Sequence, residues 1–207
     1  MKRIPIVATL VVCAAIAMMI GLGLWQLQRA DEKNTLLARY AVASKLPEMA
    51  YPAVQGGDGL LFRRAGGLCL EPLIPRIEGG LNARGDAGWR HIVSCRTGAE
   101  GPGMIVDIGW SRQFDFVAVW KGGPVHGIIS RQPDHRSLVA RALGKGVAPG
   151  LMLVASQPAD GLEPSAPPSI SDVPNNHLAY AVQWFLFAAI AAIIYGLALR
   201  RRQRTVL

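Results

Sequence analysis

LAYAVQWFLFAAIAAIIYGLAL, residues 178–199, runs for 22 positions without Asp, Glu, Lys or Arg, and IPIVATLVVCAAIAMMIGLGL, residues 4–24, does so for 21. At about 1.5 Å rise per residue, some twenty such residues cover the roughly 30 Å hydrocarbon core of a bilayer. A buried helix of a soluble protein rarely sustains an apolar stretch of that length. The two runs predict two transmembrane helices, one near each end of the chain, with everything between them outside the lipid.

Charge supports this division. The net charge is +8 and the pI about 9.9, which on their own would suit a nucleic-acid surface. Six of the 22 basic residues (Lys2, Arg3, Arg200, Arg201, Arg202 and Arg204) lie outside the apolar runs, whereas all 14 acidic residues lie between them. The intervening segment is nearly neutral, so the concentrated basic patch that a nucleic acid needs is missing. Cations on both short flanks follow the positive-inside pattern, which predicts cytoplasmic termini, a bacterial inner-membrane location and a periplasmic domain. Lys2 and Arg3 also resemble the start of a cleavable signal. The apolar run, however, exceeds the usual h-region of roughly 7 to 15 residues and continues into Trp25 without a small-x-small site, so a retained anchor is expected.

The chain divides into residues 1–24, a first membrane helix with a cytoplasmic N-terminus; 25–46, a helical stalk; 47–157, a β-rich periplasmic domain; 158–176, a Pro-rich extended return; 177–199, a second membrane helix; and 200–207, a basic cytoplasmic tail. The stalk reads as helix because it lacks Gly and Pro up to Pro47. In the middle section Gly and Pro punctuate short β-prone runs at 60–72, 89–96, 104–110, 114–121, 125–130 and 151–156. The expected fold class is therefore membrane α+β: two transmembrane helices flanking an extracytoplasmic antiparallel β-barrel or sandwich-like domain. Cys69 and Cys95 fall in the domain, where an oxidising compartment would permit a disulfide; no CxxC or CxxxC spacing supports a thiol metal or redox site, and the plainer reading is two unpaired structural cysteines. Cys13 reads as an apolar residue of the first membrane run.

Three stretches carry a resemblance. Gly21-Leu22-Gly23-Leu24-Trp25-Gln26-Leu27-Gln28-Arg29 closes the first apolar run. Gly88-Trp89-Arg90-His91-Ile92-Val93 and Ile105-Val106-Asp107-Ile108-Gly109-Trp110 form a strand pair, and Pro174-Asn175-Asn176-His177-Leu178-Ala179-Tyr180-Ala181-Val182-Gln183-Trp184-Phe185 opens the second run. Together, in this order, they resemble the surfeit locus protein 1 family of cytochrome c oxidase assembly factors over the whole chain in outline. The most specific block is the third, which is similar to N-x-H-x-x-Y-x-x-T-W-F. The chain departs from the pattern at Ile108, where the family has Arg, at Gln183, where it has Thr, and in the region 132–150.

From the residues alone, His177 has two readings. A neutral imidazole at a membrane boundary is a strong axial ligand for haem iron, and Tyr180 and Trp184, three and seven positions on, share its helix face. Ala181 and Ala188 would leave room beside that face for a flat macrocycle. Trp25 and Gln26 would close the other side, and Arg29 would pair with a propionate. Alternatively Asn175, Asn176 and His177 cap the helix, and Trp25, Tyr180 and Trp184 form an interfacial aromatic belt. The resemblance, in which bacterial members bind haem a and the matching His is implicated, implies ligation at His177. His91, His126 and His135 are dispersed without metal-ligand spacing, and no nucleophile, phosphate-loop or paired-carboxylate motif supports catalysis.

The expectation is a non-enzymatic assembly factor that takes haem a from haem a synthase within the lipid bilayer, holds it at His177 and helps deliver it to oxidase subunit I. The rival is a membrane-anchored chaperone that binds an oxidase intermediate through the β domain and carries no cofactor. A purely structural envelope protein would call for long helices between the spans, against which the Gly and Pro spacing speaks.

Overall fold

The computed structural model of the chain describes residues 5–52, 57–98 and 103–204. They form two compact units: residues up to Leu37 with those from Pro174 onward, and Ala38–Val173.

The first unit is a helix pair. Helix α1 (Ile6–Ala43) follows Pro5, whose carbonyl accepts from the Thr9 amide, and stops ahead of Pro47, which cannot continue a helical ladder. Its mate in this unit is the C-terminal helix (His177–Arg204). Along α1 the less exposed positions alternate by three and four residues: Thr9, Val12, Ile16, Met19, Gly23, Gln26 and Ala30. The C-terminal helix answers with His177, Ala181, Trp184, Ala188, Ala191 and Tyr195. This is the spacing of an antiparallel seam, and small residues at its tightest points let the backbones approach. A side chain at Gly23 would sit 2.6 Å from the Phe185 ring. Away from the seam the helices present Val7, Leu10, Met18, Leu186, Ile193 and Ile194 outward, each well over half exposed. Such surfaces suit lipid, and both helices are long and apolar enough to cross a membrane.

The second unit is one curled mixed sheet. Its strands are β1 (Met49–Ala50), β2 (Arg64–Cys69), β3 (Glu71–Pro72), β4 (Arg76–Leu81), β5 (Ala87–Arg96), β6 (Met104–Ser111), β7 (Gly123–Arg131) and β8 (Leu151–Ala155). The order is β1-β2-β7-β8-β6-β5-β3, with β4 also on β5. Most pairs are antiparallel, but β1 lies parallel to β2, and β8 lies parallel to β6. Every residue of β8 is buried, which explains its unbroken LMLVA run. Helix α2 (Leu138–Ala142) lies between β7 and β8, so the C-terminal helix is α3.

The sheet's two margins meet where β2 runs through Leu70 into β3. There Leu70 N–H donates to the Arg96 carbonyl, and Cys69 is joined to Cys95 by a disulfide. The two cysteines are therefore paired, contrary to the plainer reading of the sequence, because curling brings the ends of β2 and β5 together. The result is a half-barrel, which bears out the expected membrane α+β class with a mixed sheet in place of a wholly antiparallel one.

One expected strand is absent, and one strand lies where none was expected. Residues 114–121 form no strand, although their apolar residues alternate. Along most of its length β6 already has β5 on one side and β8, then the Pro-rich return, on the other, where Trp110 and Glu163 exchange backbone hydrogen bonds. The segment instead lays Phe114 edge-on to Trp89, with ring centroids 4.8 Å apart, and Phe116 edge-on to His91. Conversely, the Gly-rich stretch of β4 is a full strand. Gly80 is required there because a Cβ would meet the Arg90 side chain at 2.2 Å.

Candidate functional site

His177 is the first residue of α3, set there by Pro174 and by the Tyr180 amide bonding back to the Asn176 carbonyl. Its Nδ1 lies 2.8 Å from Gln26 Oε1 on α1. A carbonyl oxygen only accepts, so Nδ1 carries the proton, and in the neutral ring Nε2 keeps its lone pair. Eight positions beyond Gln26 on α1, Asn34 Oδ1 accepts from Asn175 Nδ2 at 2.7 Å. Asn175 and His177 thus direct their side chains across the seam and not onto their own helix terminus, which sets them apart from a simple cap. Asn175 Oδ1 is buried and has no hydrogen-bond partner among the described residues.

The other residues singled out from the sequence occupy different surroundings. Trp184 is half-buried on the seam side and touches Phe187 edge-on at 6.2 Å. Trp25 and Tyr180 are each 51% exposed. The Arg29 guanidinium meets Glu32 at 2.6 Å in an exposed pair on α1, the kind of contact that contributes little net stability. Ala181 and Ala188 are buried, so they do not leave an open face: their small side chains are spent on helix contact. At the other end of the seam Thr9 Oγ1 lies 2.6 Å from the Tyr195 hydroxyl. Sequence reading passed over this pair and Asn34–Asn175; polar residues within otherwise apolar or small-residue helix faces were the available signal.

In the β unit Arg63 Nε is buried without a hydrogen-bond partner among the described residues, but the buried Asp107 and His91 are hydrogen-bonded. Asp107, fully buried on β6, is bonded by Arg90 Nε at 2.7 Å, by the Gly109 amide at 3.1 Å and by Ser165 Oγ at 2.9 Å. Burial raises its carboxyl above the usual range, with the Arg90 charge opposing. His91, buried beside it, bonds Ser111 Oγ at 2.9 Å, and burial lowers its pKa despite the Asp107 charge. His126 pairs with Glu48 and His135 with Glu78. Among the described residues no group of three His, Cys, Asp or Glu could hold a metal ion.

These features define a class: a membrane α+β protein whose two long apolar helices flank a curled sheet. Within it, the SURF1 family model matches residues 13–189, so the chain belongs to the SURF1 family. Membership implies a role as an assembly factor for cytochrome oxidase, in a family that is not one of enzymes. A comparison with curated proteins gave no significant match.

Proposed function

We propose that this protein is a transient custodian of haem a in the assembly of a haem-copper oxidase of the cytochrome c type. It receives haem a made by haem a synthase, holds it through His177 and assists its delivery to subunit I. The observation that carries the proposal is the bond from His177 Nδ1–H to Gln26 Oε1, which orients the ring and fixes the tautomer that leaves Nε2 free to ligate. Bound haem would supply the iron that this nitrogen coordinates.

The surrounding residues fit such a cargo. The unsatisfied Asn175 Oδ1 suits a hydroxyl donor. Because Gly23 and Ala181 are packed in the seam, the cargo meets His177 from outside the helix pair, where Trp25 and Tyr180 offer half-exposed rings. Arg29, released from Glu32, presents a guanidinium fork to a propionate. The orientation proposed is an inner-membrane protein with cytoplasmic termini and a periplasmic domain. Two facts support it: the basic flanks, and a disulfide that persists only in an oxidising compartment.

The test is the absorption spectrum of detergent-purified protein co-expressed with the haem a pathway. The parent chain is expected to carry haem a and His177→Ala to lose it. Undiminished, spectrally unchanged haem in His177→Ala would remove the assignment. A second reading, in which the β domain holds an oxidase intermediate, is favoured by the apolar groove of about 280 Å³ between Leu73–Pro75 and Ala118–Trp120. It predicts that His177→Ala leaves oxidase assembly intact while polar substitutions at Ile74 and Val119 abolish it.

A further inference from the structure

The connection from β7 to β8 holds out aliphatic side chains that no core receives. Ser137 Oγ caps α2 by accepting from the Ala140 amide at 3.2 Å. The helix closes through Lys145 N–H to the Ala140 carbonyl at 2.8 Å and Gly144 N–H to the Arg141 carbonyl at 3.1 Å, with Gly144 in the left-handed region at φ +63°. The turn is therefore capped at both ends. Yet Leu138, Val139, Leu143 and Val147 are 80%, 68%, 62% and 92% exposed.

At about 100° per residue, Leu138, Ala142, Val139 and Leu143 occupy one arc of α2, and Arg141 lies at its border, about 60° beyond Leu138. Residues 134–147 hold three cations, Arg136, Arg141 and Lys145, against one carboxylate, Asp134, which Arg136 grips at 2.9 Å and Arg141 approaches at 3.4 Å. His135 is turned to Glu78 at 3.2 Å. Aliphatics on one face, with a surplus of cations beside them, are what a helix lying in a headgroup layer presents.

We propose that residues 136–147 form an amphipathic knob that docks on anionic phospholipid headgroups. Leu138, Val139, Leu143 and Val147 enter the acyl boundary, while Arg141 and Lys145 meet phosphate. Charge complementarity selects this occupant: an apolar protein groove has no use for two cations flanking the aliphatics, whereas an anionic bilayer surface attracts each of them. Chain continuity adds to it, because both ends of the β unit run directly into helices apolar enough to lie in that bilayer.

The experiment uses the full chain in nanodiscs, in a Cys13→Ser background, with an environment-sensitive fluorophore on Val147→Cys and, as comparison, on Asp160→Cys. Discs contain phosphatidylglycerol or phosphatidylcholine alone, with and without nitroxide-labelled lipid. The expected result is blue-shifted, nitroxide-quenched emission at position 147 only, strongest with phosphatidylglycerol. It should weaken at 1 M salt, where the screening length falls to about 3 Å. Arg141→Gln with Lys145→Gln should lower the ratio of docked to free knob about thirtyfold, from the worth of two cations at an anionic surface. Water-like emission at 147 in every disc overturns the proposal. So does emission that is blue-shifted but indifferent to nitroxide lipid, which would assign the knob to a protein surface instead.

Discussion

Replacing Gln26 by leucine removes the acceptor from His177 Nδ1–H while keeping a side chain of similar length at the seam. In the parent chain that bond is 2.8 Å long and joins two helices 151 positions apart in sequence. Losing it frees the ring to rotate and to shift its proton, so Nε2 is no longer held as the unprotonated nitrogen. Outer-shell partners of a ligating histidine typically govern 10- to 100-fold in metal affinity, or about 1.4 to 2.7 kcal/mol. Haem titrated into the full-length protein in nanodiscs, followed by Soret absorbance, should show that loss for Gln26→Leu. Gln26→Glu, which keeps an acceptor at the same place, should bind at least as tightly as the parent. Circular dichroism and disc incorporation serve as the check on folding. Equal affinity of Gln26→Leu and parent, with both folded, would refute the reasoning, since the seam bond would then have no bearing on the ring.

Two further outcomes concern the β unit. Paired substitution of Cys69 and Cys95 by serine should destabilise it by about 3.5 kcal/mol, the chain-entropy value for a loop closed over 26 positions, measured as a lower urea midpoint of the full chain in nanodiscs. His91 is buried and its pKa is lowered from the ordinary 6.5, so the unfolded chain binds its proton more readily than the folded one. The folded state should therefore lose stability as pH falls below about 6.5, and His91→Gln should flatten that acid limb in the same assay.

The membrane helices were legible because lipid imposes one crude demand, an uncharged run of sufficient length, and residues 4–24 and 178–199 meet it openly. Strands β5 to β8 were legible through β-branched and alternating residues. Strand β4 was hidden because Arg76–Leu81 contains Gly79 and Gly80, residues of poor strand propensity, of which the crossing Arg90 side chain requires Gly80. Residues 114–121 misled for the opposite reason: aromatic alternation there serves packing on Trp89 and His91, and a strand also needs a free edge. The disulfide was invisible because nothing local to Cys69 or Cys95 states that β2 and β5, far apart in strand order, meet at one end. At the candidate site the same distinction holds. Position at the membrane boundary and the family resemblance singled out His177 and Gln26, but which atom of one faces which atom of the other depends on the register of two helices, and that register is set by Gly23, Ala181 and Ala188.

That register gives the pairing of Gln26 with His177 a functional logic. A histidine that must hold iron permanently commonly gives its second N–H to a carboxylate, whose charge raises the ring's basicity and strengthens the metal bond. Here the acceptor is a neutral amide, which orients the ring without that electronic reinforcement. Fixed geometry with a moderate ligand is the combination the proposed carrier would need: the ring is oriented before cargo arrives, and a single bond of this kind would yield to a recipient that ligates the iron more strongly. The seam maintains the geometry at no cost to exchange, because the Thr9–Tyr195 bond and the packed Gly23 and Ala181 hold the helices in register from inside, while the side open to cargo stays free. Under the proposed custody of haem, the amide at position 26 would set how readily the cargo leaves, and His177 whether it is held at all.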